Sequence, residues 1–262
     1  MSLTEVSVNH DKPSAALPSW LIALLRYILA GTLPVFLVLT GVRLVTTEAF
    51  LQLEYHRPGF PEDRFGFSQE DRLHYAPYAV EYLRNDAGIA YLGDLAFENG
   101  EPLFRARELG HMEDVKVVMR AAMRVHTVLT LVLAAIVLIL AWRRETRAEL
   151  RAGLIAGGAL TITIIVTLVI LIFASWDFFF DGFHGLFFEG DSWQFSTSDT
   201  LIRLFPEQFW FDAAMSIGLF TVVGAFAAIL IAFTWDRRSS PAPDLNQNGA
   251  VADPAHERDS SA

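Results

Sequence analysis

Cysteine is absent from all 262 residues. Its absence excludes disulfides, thiolate metal sites, a cysteine nucleophile and a lipidated cysteine on the chain itself. It leaves the redox compartment open, because disulfide-free proteins occur anywhere. Positive charge is also in short supply. Twenty Lys and Arg face 30 Asp and Glu, a net charge of −10, which argues against nucleic acid as a partner. There is no glycine-rich phosphate loop of the Walker or Rossmann type, no GxSxG elbow and no HExxH zinc pattern.

Apolar sequence is abundant. Hydrophobic residues make up 53% of the chain and mean hydropathy is +0.35. The average conceals long uncharged runs separated by strongly charged stretches. A soluble domain of this size can bury a core, but it has no need of uncharged runs of about twenty residues. The chain is therefore not an ordinary soluble globular protein.

Four runs are long enough to cross a bilayer: Trp20–Leu44, Val125–Trp142, Ala152–Trp176 and Ala213–Trp235. At about 1.5 Å per helical residue each approaches the ~30 Å hydrocarbon thickness. In the first run, Arg26 and Arg43 flank the uncharged stretch and can snorkel; Gly31 and Pro34 are candidate bends. A polar head precedes this run, so it reads as a retained anchor rather than a cleaved signal peptide. Basic residues cluster beside Lys12 and Arg26, at Arg143, Arg144, Arg147 and Arg151, and at Arg237 and Arg238. The positive-inside rule then predicts both termini in the cytoplasm. The expected architecture is an all-α membrane protein: a four-helix transmembrane bundle over residues 20–236 with a mainly helical extracytoplasmic cap built from segments 45–122 and 177–212. The tails, 1–19 and 237–262, are rich in small and polar residues and are expected to be disordered cytoplasmic tails. No dimerisation motif stands out in the spans, so a monomer is expected.

In the first cap segment, Ser68 is a candidate N-cap with Glu70 and Asp71 in the following turn. Pro77 is expected to limit or kink that helix, and Asn99-Gly100 marks a turn. No Gly or Pro falls between His111 and Trp142, so one helix is expected to run from His111 through the second span. The second cap segment is dense in rings: 13 of the 36 residues from Trp176 to Phe211 are aromatic. That density at a membrane edge reads as an interfacial belt or a re-entrant hairpin. Pro206 is placed to open the helix that feeds the fourth span.

Seven histidines occur. His10 and His256 lie in the tails. His56 and His74 read as surface loop residues, and His126 as a hydrogen-bond partner between spans. His111 and His184 are both expected just outside the membrane on one side. His111 has Asp114 three residues on, on the same helical face, and His184 lies within the aromatic strip. Such a pair can serve general acid–base chemistry, with Asp114 orienting His111. On spacing alone, a belt residue and an ion-paired helix residue remain the blander reading. Metal binding is weaker still. Asp177, Asp181, Glu189 and Asp191 read equally well as a polar rim. Trp193 and Phe183 read as anchors or substrate contacts, and Arg57 and Arg203 as lipid-gripping or ion-paired residues.

The strings RPGFPEDRFGFSQEDRLHY (57–75), NGEPLFRARELGHMEDVK (99–116), FHGLFFEGDSWQF (183–195) and TLIRLFPEQFWFD (200–212) resemble a bacterial integral membrane family that includes the lipoprotein intramolecular transacylase. The resemblance covers residues 20–236. It implies a four-helix bundle with an extracytoplasmic cap. It also implies an enzyme that moves the sn-2 acyl chain of an N-terminal diacylglyceryl-cysteine to its α-amine, giving lyso-form lipoprotein. His111 in GHMEDV and His184 in GFHGLFF match the family's catalytic histidines, and Asp114 matches a supporting acid. Asp181 departs from the pattern, where a small polar residue is expected. Trp193, Asp177, Arg203 and Phe183 are the candidate substrate contacts. The reaction exchanges an ester for an amide, so no cofactor or metal is expected; the partners are the lipid bilayer and the lipoprotein substrate. The alternatives are another membrane-lipid acyltransferase or hydrolase, and a non-catalytic receptor or assembly protein.

Overall fold

The computed structural model describes residues 17–237, with side chains to Thr234; most of both predicted disordered tails lies outside this range. The chain forms α1 (Ser19–Val45), α2 (Glu48–Tyr55), α3 (Gln69–Arg84), α4 (Ala90–Gly93), α5 (Ala106–Trp142), α6 (Arg147–Ala174), α7 (Trp176–Phe187), α8 (Thr200–Leu204) and α9 (Glu207–Arg237). Among the described residues no strand forms, and one isolated antiparallel bridge pairs Ala96 with Pro102 across the Gly100 turn.

Helices α1, α5, α6 and α9 are each long and apolar enough to span a membrane. Their outer faces stay apolar: Leu131, Leu138, Ile170, Phe173, Leu219 and Leu230 are exposed, as a lipid-facing bundle requires. Helix α6 packs along both α1 and α9. Two adjacent glycines allow this. A Cβ on Gly157 would press on Leu33 and the Ala30 Cα of α1. A Cβ on Gly158 would meet Ile229 at 2.6 Å on α9. Gly153 and Gly157 have the small-xxx-small spacing that brings membrane helices close. The sequence reading passed over this motif; here it serves packing within the chain, against Leu29, Ala30 and Leu33.

Arg26 pairs with Glu149 at 2.8 Å, and Arg151 Nε donates to the Ala232 carbonyl at 3.1 Å. These contacts gather the starts of α1 and α6 and the end of α9 at one end of the bundle. The remaining helices cap the other end. His126 ties α5 to α1: Thr40 Oγ1 donates to the Phe36 carbonyl at 2.8 Å and lies 3.0 Å from His126 Nε2. That is the inter-span hydrogen bond expected of this residue.

Helix α5 has 37 residues, about 55 Å of helix at 1.5 Å per residue, far more than a bilayer core needs. Its first turns project beyond the span into the cap, as expected. There Met112 is buried and Lys116 donates to the Ala87 carbonyl at 2.6 Å over the Tyr82 ring. The cap has its own core, with Phe50, Leu51, Tyr55, Ala79, Leu92, Phe104 and Phe209 among its members.

Ser68 caps α3 as expected, with Asp71 returning a bond to the Ser68 N–H at 2.7 Å. Pro77 does not end α3, which continues to Arg84. Proline costs one backbone bond, while Ala76, Ala79, Val80 and Tyr82 are buried around it. The third span stops at Ala174, short of Trp176. Ser175 turns extended, and its side chain accepts from the Phe178 N–H at 3.3 Å, so Trp176 instead opens α7. His74 lies exposed on α3 rather than in a loop, and His56 closes α2.

Candidate active site

Two helices bring the histidines together. His111 sits in the second turn of α5 and His184 in the last turn of α7. Phe188 lies against both rings, with centroids 5.0 Å from His111 and 5.9 Å from His184. Phe195 closes on His111 at 5.3 Å. Trp193 stacks on His184 at 4.6 Å, and Phe180 and Phe183 complete its surroundings at 4.2 and 5.6 Å. The pair is half-buried in an aromatic wall.

This wall sets the charge state. His111 is pushed down to about 4, first by burial and then by the nearby His184; the Asp114 charge opposes both. Burial also lowers His184, against the Phe180 carbonyl and the Asp181 charge. Both imidazoles are therefore neutral at neutral pH. His184 Nδ1 lies 2.8 Å from the Phe180 carbonyl oxygen. A carbonyl only accepts, so Nδ1 carries the proton and Nε2 keeps its lone pair. His111 Nδ1 and Trp193 Nε1 are both buried without a hydrogen-bond partner.

The other candidates fall into two groups. Trp193 and Phe183 touch His184, while Asp114 and Asp181 act on the pair only through their charge. Asp114 is exposed, and no hydrogen bond joins it to His111. Asp177 lies exposed in the first turn of α7. Arg203 is committed elsewhere. Its side chain pairs with Asp63 at 3.0 Å and lies over the Phe67 ring at 3.7 Å, so it is not gathered with the histidines. Arg57 likewise joins Glu54 and Asp212. Among the described residues no three His, Asp or Glu side chains are grouped to hold a metal ion.

Sequence reasoning missed the clamp that supports the site. Asp199 is buried and accepts from Arg105 at 2.6 Å, Arg107 at 2.7 Å and the Ser196 N–H at 2.9 Å. Arg107 in turn lies over Phe195, 5.0 Å from its centroid, and Phe195 walls His111. Glu108, also buried, accepts from the backbone N–H groups of Arg105 at 2.8 Å and Leu201 at 2.7 Å. It thereby fixes the start of α5 to the start of α8. Glu108 takes the glutamate place of a capping box, but Arg105 stands where the Ser or Thr that marks one in sequence would be.

Fold and site together define a class: an all-α, four-span membrane protein with a neutral, aromatic-walled histidine pair at one end of its bundle. Sequence comparison places it more narrowly. The chain belongs to the family described as Lipoprotein intramolecular transacylase Lit, which matches residues 27–210. An uncharacterised protein of Aquifex aeolicus is 32% identical over 211 residues, covering 80% of this chain and 93% of that one. The in meso structure of the membrane integral lipoprotein intramolecular transacylase Lit from Bacillus cereus has a similar fold. Its TM-score is 0.59 at 19% identity, over 85% of this chain and 100% of that one. A histidine-to-alanine variant of that protein gives 0.59 at 18% identity, over 84% and 97%.

Proposed function

We propose that the chain moves the sn-2 acyl chain of an N-terminal diacylglyceryl-cysteine onto the cysteine α-amine, with His111 and His184 as its acid–base pair. The observation that carries this reading is the neutral pair enclosed by Phe180, Phe183, Phe188, Phe195 and Trp193. A wall of rings disfavours water as the attacking group and leaves the substrate's own amine as the nucleophile. Amine and ester belong to one molecule, so much of the entropic cost of meeting is already met. Exposed Phe178, Phe183, Leu186 and Phe187 on α7 give acyl chains an apolar approach to the histidines.

The proton path is short. As the amine attacks the ester carbonyl, Nε2 of His184 takes the amine proton. When the tetrahedral adduct collapses, that proton passes to the departing sn-2 oxygen. A protonated His184 lowers the basicity of His111, so the neutral pair takes up one extra proton at a time. Asp114 biases the pair from a distance, and Asp177 and Phe183 face the lipid headgroup region. The site lies on the extracytoplasmic face with both termini in the cytoplasm, following the basic clusters at residues 143–151 and 237–238. The working unit is a monomer, since the Gly153–Gly157 face is used within the chain.

The test is expression in a bacterium that makes diacylglyceryl lipoproteins and lacks this activity. Wild type should yield N-acyl, S-monoacylglyceryl termini, and membrane-folded His111→Gln and His184→Asn variants should not. Equal product from either variant contradicts the histidine assignment.

A further inference from the structure

We infer that Trp193 donates its indole N–H to the carbonyl oxygen of the acyl group in transit and so stabilises the oxyanion of the tetrahedral adduct. The inference rests on the proposed transacylation. Nearly all buried polar groups in folded proteins are paired, because leaving a donor unpaired is costly. Among the described residues two buried side-chain atoms break this rule, His111 Nδ1 and Trp193 Nε1. Both belong to the same cluster of rings.

Position and elimination point the same way. Trp193 stacks on His184, whose Nε2 is the proposed base. The other rings on His184, those of Phe180, Phe183 and Phe188, carry no donor. Nδ1 of His184 is committed to the Phe180 carbonyl. Arg105 and Arg107 are held on Asp199. Of the two unpartnered atoms, His111 Nδ1 belongs to a ring lying against Phe188 and Phe195, whereas the indole N–H belongs to the ring stacked on the base itself and, unlike an imidazole nitrogen, can only donate. Sealed from solvent, it has no water to give up when the acyl ester moves the covering rings aside and meets it. Gly190, at φ +63, makes the turn between Phe188 and Trp193.

The balance is simple. The amine nitrogen forms a bond to the carbonyl carbon, and the carbonyl π pair moves onto oxygen, where the indole N–H holds it. Collapse restores the C=O bond and breaks the bond to the sn-2 oxygen, which leaves with the proton from His184. A fixed neutral donor in a water-poor site is effective at this task.

The test uses the full-length protein in phospholipid–detergent micelles and a synthetic diacylglyceryl-cysteine lipopeptide. Trp193→Phe is compared with a variant carrying β-(3-benzothienyl)alanine at position 193, which keeps the bicyclic shape and replaces N–H by sulfur. Both should lose roughly 10²–10³-fold in kcat, with KM nearly unchanged and melting temperature retained for the benzothienyl variant. A benzothienyl variant with wild-type kcat overturns the inference, even where Trp193→Phe is inactive or misfolded, because packing alone then explains the residue. Wild-type protein that makes no lyso-form product overturns the transacylase reading, and this inference with it. A wild-type enzyme whose benzothienyl variant is unimpaired overturns only the inference.

Discussion

His184 lies against Trp193 with ring centroids 4.6 Å apart and 25° between their planes. Stacking fixes the plane of the imidazole, and the Nδ1 bond to the Phe180 carbonyl fixes its rotation and tautomer. The lone pair on Nε2 is therefore set before substrate arrives. His184→Asn removes the proposed base and should lower kcat by about 10²–10⁴-fold, measured as lyso-lipopeptide formed by purified protein of unchanged melting temperature.

Asp114 shares a helical face with His111 but is exposed and makes no hydrogen bond to it. Its influence is a charge effect opposed by the larger effect of burial. Asp114→Asn should thus change kcat only a few-fold, far less than loss of either histidine. A loss as large as that of His111→Gln would mean that the carboxylate orients the ring directly during turnover.

Both histidines are lowered from their ordinary value, His111 to about 4. In the proposed reaction the substrate amine, with an ordinary value of about 8, must lose its proton before attack. On the acid side, kcat/KM should rise with pH along a slope of one up to about pH 8. A histidine at its ordinary value would add a second proton below about 6.5 and steepen the slope towards two. Here that steepening should be displaced to lower pH, and a pH–rate profile on a lipopeptide checks it.

Asp199 supports the site from beneath through Arg105, Arg107 and the Ser196 N–H. In Asp199→Ala the two arginines, more than half exposed, can turn to water. The Ser196 N–H loses its acceptor, and the Phe195 wall loses the cation above it. The expected cost is about 1–3 kcal/mol, read as a lower melting temperature together with reduced activity.

Gly158 and Gly31 form a matched pair of tests for the bundle. A Cβ on Gly158 would meet Ile229 at 2.6 Å and the Ala225 carbonyl at 3.1 Å, whereas one on Gly31 meets nothing within 4 Å. Gly158→Leu should destabilise by about 1–3 kcal/mol or more through overpacking. Gly31→Ala should stay within about 0.5 kcal/mol. Thermal unfolding in detergent measures both.

The spans were legible because uncharged apolar runs leave few alternatives in a bilayer. So were the Ser68 cap, the long helix from the cap into the second span and the link made by His126. The end of the third span was not, because Ser175 breaks the helix by local capping while the apolar run continues to Trp176. Of the two outcomes expected at Pro77, a helix end is excluded, because burial around it lets α3 continue to Arg84. Each histidine could be singled out, but their meeting around Phe188 depends on how α5 and α7 pack. The Asp199 clamp joins residues more than ninety positions apart, beyond the reach of local pattern. For Arg203 the sequence left lipid contact and an ion pair both open, and the fold pairs it with Asp63.

A crossover experiment tests whether the acyl chain stays within one substrate molecule. Purified protein receives two lipopeptides together, one carrying an isotope-labelled sn-2 acyl chain and the other a labelled peptide. The products are fragmented in a mass spectrometer. Intramolecular transfer predicts N-acyl, S-monoacylglyceryl products of unchanged mass, each keeping its own label pattern, and their loss with His184→Asn. Released labelled fatty acid, or product bearing both labels, would contradict it.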